Sequence, residues 1–203
     1  MTVAGPAHVE TERPARRPRF LCVLTHGAGG SPDTADVLAA RDAARALGAV
    51  TALVTQPYRV RGARAPGSAA KQDAAWEEIV AALNPGGLPL VQGGRSNGAR
   101  VACRTARDVR AVGVIALAFP LHPPGRPDAS RDGELRAAGT NVLVVNGDRD
   151  PFGIPEPDDA TRVVVLPGET HALSKNPSAV GDAVAGWLGT LPGIDRRPTA
   201  APH

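Results

Sequence analysis

Residues 93–100 read Gly-Gly-Arg-Ser-Asn-Gly-Ala-Arg and contain the pattern G-x-S-x-G at Gly94, Ser96 and Gly98. A serine hydroxyl is a weak nucleophile at neutral pH. It needs a base to take its proton and N–H donors to hold the oxyanion that its attack creates. The segment follows an apolar run ending at Gln92 and precedes a stretch with helical periodicity, so the pattern belongs on a strand-to-helix turn. There Ser96 takes strained backbone angles, Gly94 and Gly98 let strand and helix approach, and the hydroxyl stands clear of the sheet. A plain turn or a phosphate-cradling loop would carry similar glycines. This one, however, follows the third strand rather than the first, and it lacks both G-x-G-x-x-G and G-K-[ST].

Two later segments supply the groups a serine needs. Asn146-Gly147-Asp148-Arg149-Asp150-Pro151-Phe152-Gly153 follows one apolar run, and Pro167-Gly168-Glu169-Thr170-His171-Ala172-Leu173 follows the next. The chain order Ser, Asp, His is that of α/β-hydrolases, with each residue on a loop at the carboxyl end of a strand. His171 is the base. Asp150 is preferred to Asp148 as the carboxylate that orients it, because Asp148 sits in the tight Gly-Asp turn and is suited to turn hydrogen bonds. Of the other histidines, His8 and His203 lie in the tails, His26 begins an earlier turn and His122 follows the fourth strand.

Thr25-His26-Gly27-Ala28-Gly29-Gly30 is a glycine-rich loop that brings backbone close to the serine. The backbone N–H groups of Ala28 and Asn97 are the candidate oxyanion donors. His26, Arg95 and His122 are candidates for lining the pocket. Arg95 has two alternatives: it binds an acidic group of the substrate, or it pairs with a carboxylate beneath the turn.

These residues need a scaffold that gathers strand ends. Short β-rich runs alternate with amphipathic stretches, the mark of βα units in a parallel sheet. Strands are expected at Phe20–Thr25, Val50–Thr55, Pro89–Gln92, Val112–Phe119, Asn141–Val145 and Thr161–Leu166. Most are continuous apolar runs, as strands covered on both faces require. Helices are expected at Thr34–Leu47, Ala69–Leu83, Asn97–Asp108, Arg131–Ala138 and Ser178–Leu188, with Asp33 capping the first and Gly48 ending it. The fold class is therefore α/β, with a reduced, mostly parallel sheet of about six strands and helices on both faces. The only insertion, between the fourth and fifth strands, opens with Pro120, Pro123, Pro124 and Pro127 and leaves no room for a substantial lid.

At 203 residues the chain fits one domain. Residues 19–191 are read as that domain, 1–18 as a disordered, basic, Pro-rich tail and 192–203 as a second disordered tail. Apolar residues make up 42%, and the longest apolar runs, such as Val112–Phe119, are less than half of the roughly 20 residues a spanning helix needs. No membrane partner is expected. The net charge of +3 gathers in Arg13, Arg16, Arg17 and Arg19 and in Arg196 and Arg197, with aromatics at only 3% and no stacking platform, so no nucleic-acid partner is expected either. Cys22 and Cys103 are too few for a disulfide framework and have no metal-ligand spacing. They are read as buried apolar residues. The first 19 residues hold Pro6, Pro14 and Pro18 among charges and do not resemble a secretory signal, so a cytoplasmic location is expected.

Four segments together resemble the small lidless α/β-hydrolases related to dienelactone hydrolase, in the group named for a testis-expressed protein and a chromatin-complex subunit. They are Thr25-His26-Gly27-Ala28-Gly29-Gly30, Gly94-Arg95-Ser96, Phe119-Pro120-Leu121-His122-Pro123-Pro124-Gly125 and Asp148-Arg149-Asp150-Pro151-Phe152-Gly153. The proline-containing segment is the most specific. Asn97 and Ala99 stand where the resemblance implies Met and Gly, and backbone donation by Asn97 survives that change. The expected function is a serine hydrolase acting on a small to medium ester or thioester through an acyl-enzyme on Ser96, with no metal or organic cofactor. The alternatives are a non-catalytic interaction module that keeps the fold, and an acyltransferase using the same three residues.

Overall fold

The computed structural model describes residues 1–194. In chain order the elements are β1 (His8–Glu12), β2 (Phe20–Thr25), α1 (Ala35–Ala46), β3 (Ala49–Thr55), α2 (Pro57–Val60), α3 (Ala69–Leu83), β4 (Leu90–Arg95), α4 (Asn97–Thr105), β5 (Gly113–Leu117), α5 (Asp132–Arg136), β6 (Asn141–Gly147), β7 (Thr161–Leu166) and α6 (Pro177–Leu188). They form one sheet in the order β1-β3-β2-β4-β5-β6-β7, parallel throughout except for β1 against β3. The α/β-hydrolase architecture expected from the sequence is therefore present.

Strand order reverses at β2, which has β3 on one side and β4 on the other. The carboxyl ends of β2 and β4 thus open onto a crevice at a topological switch point, where α/β sheets place their ligands. Register puts Thr25 beside Gly94 at that edge. The oxyanion loop and the Ser96 turn leave the sheet side by side.

Both faces of the sheet are covered, which explains the continuous apolar runs. On one face α1 and α6 bury Val37, Ala44, Val184 and Leu188 against Cys22, Leu24, Ile115 and Leu143. On the other, Trp76, Val101 and Cys103 pack on Val23, Val114 and Val144. Each fully buried Leu or Val contributes roughly 1.5–3 kcal/mol. Cys22 and Cys103 are buried free thiols, and burial pushes each up to about 12, as expected for small apolar residues. No described helix is long and apolar enough to cross a membrane.

The sheet has one strand more than expected. His8–Glu12 pairs antiparallel with β3, so the reading of residues 1–18 as a disordered tail is corrected. Its sequence, His-Val-Glu-Thr-Glu, offers no apolar run because the strand lies at an edge, where Val9 alone turns a partly buried side chain inward. At the other end Ile194 is fully buried, inside the stretch read as a tail from 192, and residues 195–203 lie outside those described. β4 also runs through Gly93 and Gly94 to Arg95 rather than stopping at Gln92. Gly is a poor strand former, but a Cβ at Gly93 would lie 2.3 Å from the Ile115 carbonyl oxygen, so packing selects glycine here over propensity.

α1 is preceded by Thr34 rather than capped by Asp33, whose carboxylate accepts from the Ser31 hydroxyl. Gly48 ends the helix as expected, at φ +88°. Between β5 and β6 the described chain forms loops and the five-residue α5, with no separate helical cap. Deleting residues 1–13 should lower the unfolding midpoint by roughly 5–10 °C, the effect of losing a few kcal/mol in a domain of this size. Thermal melts check this; an unchanged midpoint would show that β1 does not support the sheet.

Candidate active site

Ser96 occupies the junction of β4 and α4 with φ 52° and ψ −110°. For a residue with a Cβ, a conformation of this kind costs about 1–3 kcal/mol and needs surroundings that enforce it. Those surroundings are close backbone contacts: a Cβ at Gly94 would meet the Thr25 carbonyl oxygen at 2.6 Å, and one at Gly98 would meet that of His26 at 2.7 Å. The Ser96 N–H donates to the Leu117 carbonyl at 2.9 Å, which anchors the turn to β5.

The structure brings Ser96, Asp150 and His171 together from three separate loops. The Ser96 hydroxyl lies 3.0 Å from His171 Nε2, and His171 Nδ1 lies 2.9 Å from Asp150 Oδ2. A carboxylate only accepts, so Nδ1 carries the proton and Nε2 is left bare toward the hydroxyl. The Asp150 side chain is fully buried. Its Oδ1 accepts from the Phe152 N–H at 2.9 Å, and Asn146 Nδ2 lies 3.4 Å from Oδ2. Asp148 is exposed and accepts from the Gly168 N–H at 2.8 Å, so its bond bridges to the loop after β7 rather than closing its own turn. The Phe152 ring lies over His171 at 4.2 Å between centroids and shields one face of the imidazole.

The two loops that carry Asp150 and His171 are built as one unit. Asn146 donates from Nδ2 to the carbonyls of Phe119 and Gly153, and its Oδ1 accepts from the Phe119 N–H, so one buried amide ties the end of β5 to the acid loop. Glu169, two residues before His171, is buried and accepts through Oε1 from the N–H groups of Lys175 and Asn176 at 2.8 and 2.6 Å. Arg149 N–H donates to the Glu169 carbonyl at 3.0 Å, joining the loops directly.

The loop after β2 is held just as firmly. His26 is fully buried; Gln56 N–H donates to its Nε2 at 3.0 Å, so the proton sits on Nδ1 and is donated to the Gly27 carbonyl at 2.8 Å. Tyr58 of α2 donates to the Ala28 carbonyl at 3.0 Å, and Arg59 Nε to that of Gly30 at 3.2 Å. In a trans peptide the N–H points opposite to the C=O. Fixing the Gly27 carbonyl therefore fixes the direction of the Ala28 N–H. Gly27 lies against the nucleophile, with a Cβ position 3.4 Å from that of Ser96. The N–H groups of Ala28 and Asn97 find no hydrogen-bond partner among the described residues, which leaves both free to donate.

Of the three pocket candidates His26 is corrected, and Arg95 takes the second of its two alternatives, pairing with a carboxylate. His26 is enclosed as an internal brace and presents no surface to a ligand. Arg95 turns to protein groups: its Nε lies 3.1 Å from Asp36 Oδ2, and its Nη2 donates to the His171 carbonyl at 2.7 Å. His122 remains half-buried beside Gly153, with Nδ1 donating to the Pro123 carbonyl at 2.9 Å. Sequence reasoning missed Asn146, Phe152, Tyr58 and Asp36. The signal available was position, since Asn146 ends a strand run and Gln56-Pro57-Tyr58 follows one directly. Among the described residues no group of three or more His, Cys, Asp or Glu side chains is placed to hold a metal ion.

Burial lowers the His26 imidazole from its ordinary 6.5, with the Gly27 carbonyl opposing and the Arg59 charge adding. A histidine kept neutral by the fold contributes stability that is complete above its unfolded value and is lost as pH falls from there through the folded value. Thermal stability should therefore decline from about pH 6.5 downward, and His26→Gln should flatten that decline. Comparing the two proteins cancels Asp36, whose carboxyl burial raises and whose contribution has the opposite sign. Parallel pH profiles of wild type and variant would show that His26 is not held neutral.

Comparison with known proteins follows the same lines. A family model described as an alpha/beta hydrolase domain matches residues 18–171. A search of curated proteins returned no match. Among solved structures, an alpha-beta serine hydrolase homologue from Coxiella burnetii is 17% identical, with 93% of this chain and 94% of that chain covered at a TM-score of 0.74. A dienelactone hydrolase from Anabaena variabilis is 18% identical, with 91% and 92% covered at 0.72. An a/b serine hydrolase without lid from Xanthomonas campestris is 22% identical, with 95% of each chain covered at 0.63. At these identities the structures speak for the fold alone, while the family model spans most of the chain: the protein belongs to the alpha/beta hydrolase family.

Proposed function

We propose that the protein is a serine hydrolase that cleaves small to medium esters or thioesters through an acyl-enzyme on Ser96. The observation that carries this reading is the position of His171, with Nε2 3.0 Å from Ser96 Oγ and Nδ1 2.9 Å from a fully buried carboxylate. As Oγ attacks the substrate carbonyl carbon, Nε2 takes its proton, and the carbonyl oxygen becomes an oxyanion facing the N–H groups of Ala28 and Asn97. Collapse breaks the bond to the leaving oxygen or sulfur, which receives the proton from Nε2. Water then attacks the acyl-enzyme while His171 takes a proton from it. The second collapse releases the acid and returns the proton to Ser96 Oγ. Asp150 stays ionised throughout, holding the tautomer and stabilising the imidazolium.

The uncapped connection between β5 and β6 supports short acyl groups over long ones. We further place the chain in the small lidless group related to dienelactone hydrolase, the one named for a testis-expressed protein and a chromatin-complex subunit. The Phe119–Gly125 segment supports this: it follows a left-handed residue, Ala118 at φ 46°, and is fastened to the acid loop by Asn146 and by the His122 N–H donating to the Phe152 carbonyl. Two buried free thiols support a reducing, cytoplasmic setting.

Activated esters of increasing acyl length provide the test. Turnover should be highest for short chains and fall steeply for long-chain emulsified lipids. Ser96→Ala and His171→Ala should each lower kcat by roughly 10³-fold or more, and Asp150→Asn by about 10²–10⁴, while Asp148→Asn stays within a few-fold. Equal losses in the two Asp variants would overturn Asp150 as the acid, and wild-type protein without turnover on any ester would overturn the hydrolase.

A further inference from the structure

Arg95 is the unspecified second residue of G-x-S-x-G, yet its side chain reaches two other segments. Nε lies 3.1 Å from Asp36 Oδ2, close enough for an ion pair though off the direction of a hydrogen bond, and Nη2 donates to the His171 carbonyl at 2.7 Å. Among the described residues that carbonyl accepts from no other group. Asp36 sits in the first turn of α1, just beyond the loop that carries Ala28, and is fully buried with Arg95 as its ion-pair partner. A Cβ at Gly27 would lie 3.5 Å from Arg95 Nη1, so the guanidinium runs under the oxyanion loop as well.

One side chain therefore links the nucleophile turn, the oxyanion loop with the helix that follows it, and the base loop. Its backbone precedes the nucleophile, Nε meets the helix that follows the oxyanion loop, and Nη2 holds the residue that carries the base. A guanidinium suits this because its donors are fixed in one plane, whereas a lysine ammonium is a single point. We infer that Arg95 is a positioning residue, anchored by Asp36, that sets the His171 imidazole against Ser96 Oγ by holding the His171 carbonyl. It touches no reacting atom. Its effect is transmitted through the placement of the base.

A merely structural ion pair would have the same geometry, so the test must separate the two. Breaking a buried pair leaves an uncompensated charge and destabilises the fold, whereas removing both charges together is often neutral or stabilising. The inference rests on Ser96 as the nucleophile, so wild-type turnover of a short ester is established first; its absence would overturn that reading and the positioning role with it, whereas the variants below test Arg95 alone. Given that activity, Arg95→Met, Asp36→Leu and the double variant are compared with Arg95→Lys by thermal melting and by kcat and KM on a neutral and an anionic short ester.

Arg95→Met should lose stability and drop kcat by roughly ten- to a hundredfold, the scale of a small misplacement of catalytic groups. KM should change little, and equally for both esters. The double variant should recover the melting temperature but not kcat. Arg95→Lys should keep the charge opposite Asp36 and most of the stability while still losing kcat, because one ammonium cannot serve both partners. Recovery of kcat together with stability in the double variant would reduce Arg95 to a structural charge and overturn the inference. A rise in KM confined to the anionic ester, with kcat intact, would overturn it in favour of substrate binding. The double variant also covers the case in which either single variant fails to fold.

Discussion

Ser96 holds φ 52° only because β2, β4 and α4 approach at backbone distance, and nearly everything about the site follows from that approach. Gly94 and Gly98 have carbonyl oxygens of β2 and the following loop where side chains would begin, and Gly93 has the Ile115 carbonyl of β5 in the same relation. With no side chains between them, the strand ends come together at the switch point of the sheet. Close contacts around the nucleophile turn hold its hydroxyl relative to the loop that carries Ala28. Close packing of this kind transmits constraint without requiring a strong individual bond.

The remaining loops are longer and cannot be fixed by packing alone, so buried polar groups hold them. Asn146 joins the end of β5 to the acid loop, Glu169 folds the base loop on itself, and His26 with Tyr58 pins the carbonyls behind the oxyanion donor. Each is a side chain whose loss would leave a partner unsatisfied in the interior, costing roughly 1–3 kcal/mol. The charged groups are placed by the same logic. Asp150 and Asp36 both have fully buried side chains, and each is paired with a basic side chain, His171 and Arg95, which themselves meet through the His171 carbonyl.

What the sequence revealed is what local physics decides. Apolar runs gave the buried parallel strands, the glycines around Ser96 gave the turn, and loop position after successive strands singled out the Ser, Asp and His that the fold gathers. What it concealed depends on partners distant in the chain. Val9 in β1 becomes meaningful only against the edge of β3, more than forty residues on. His26 looks like a pocket residue until Gln56, 30 residues away, is seen to donate to its ring, and Arg95 until His171, 76 residues away, is seen to accept from it. The same limit applied to β4, where glycine argued against a strand that close packing demands.

The central claim is that Ser96 is activated by its neighbours, and covalent labelling by a fluorophosphonate probe tests it most directly because the chemistry needs the base but hardly any substrate specificity. Folded protein should gain a single adduct, and mass spectrometry of the digested protein should place it on Ser96. Labelling should vanish in Ser96→Ala and nearly vanish in His171→Ala. Folded wild-type protein that takes no label at Ser96 over a long incubation would contradict the account.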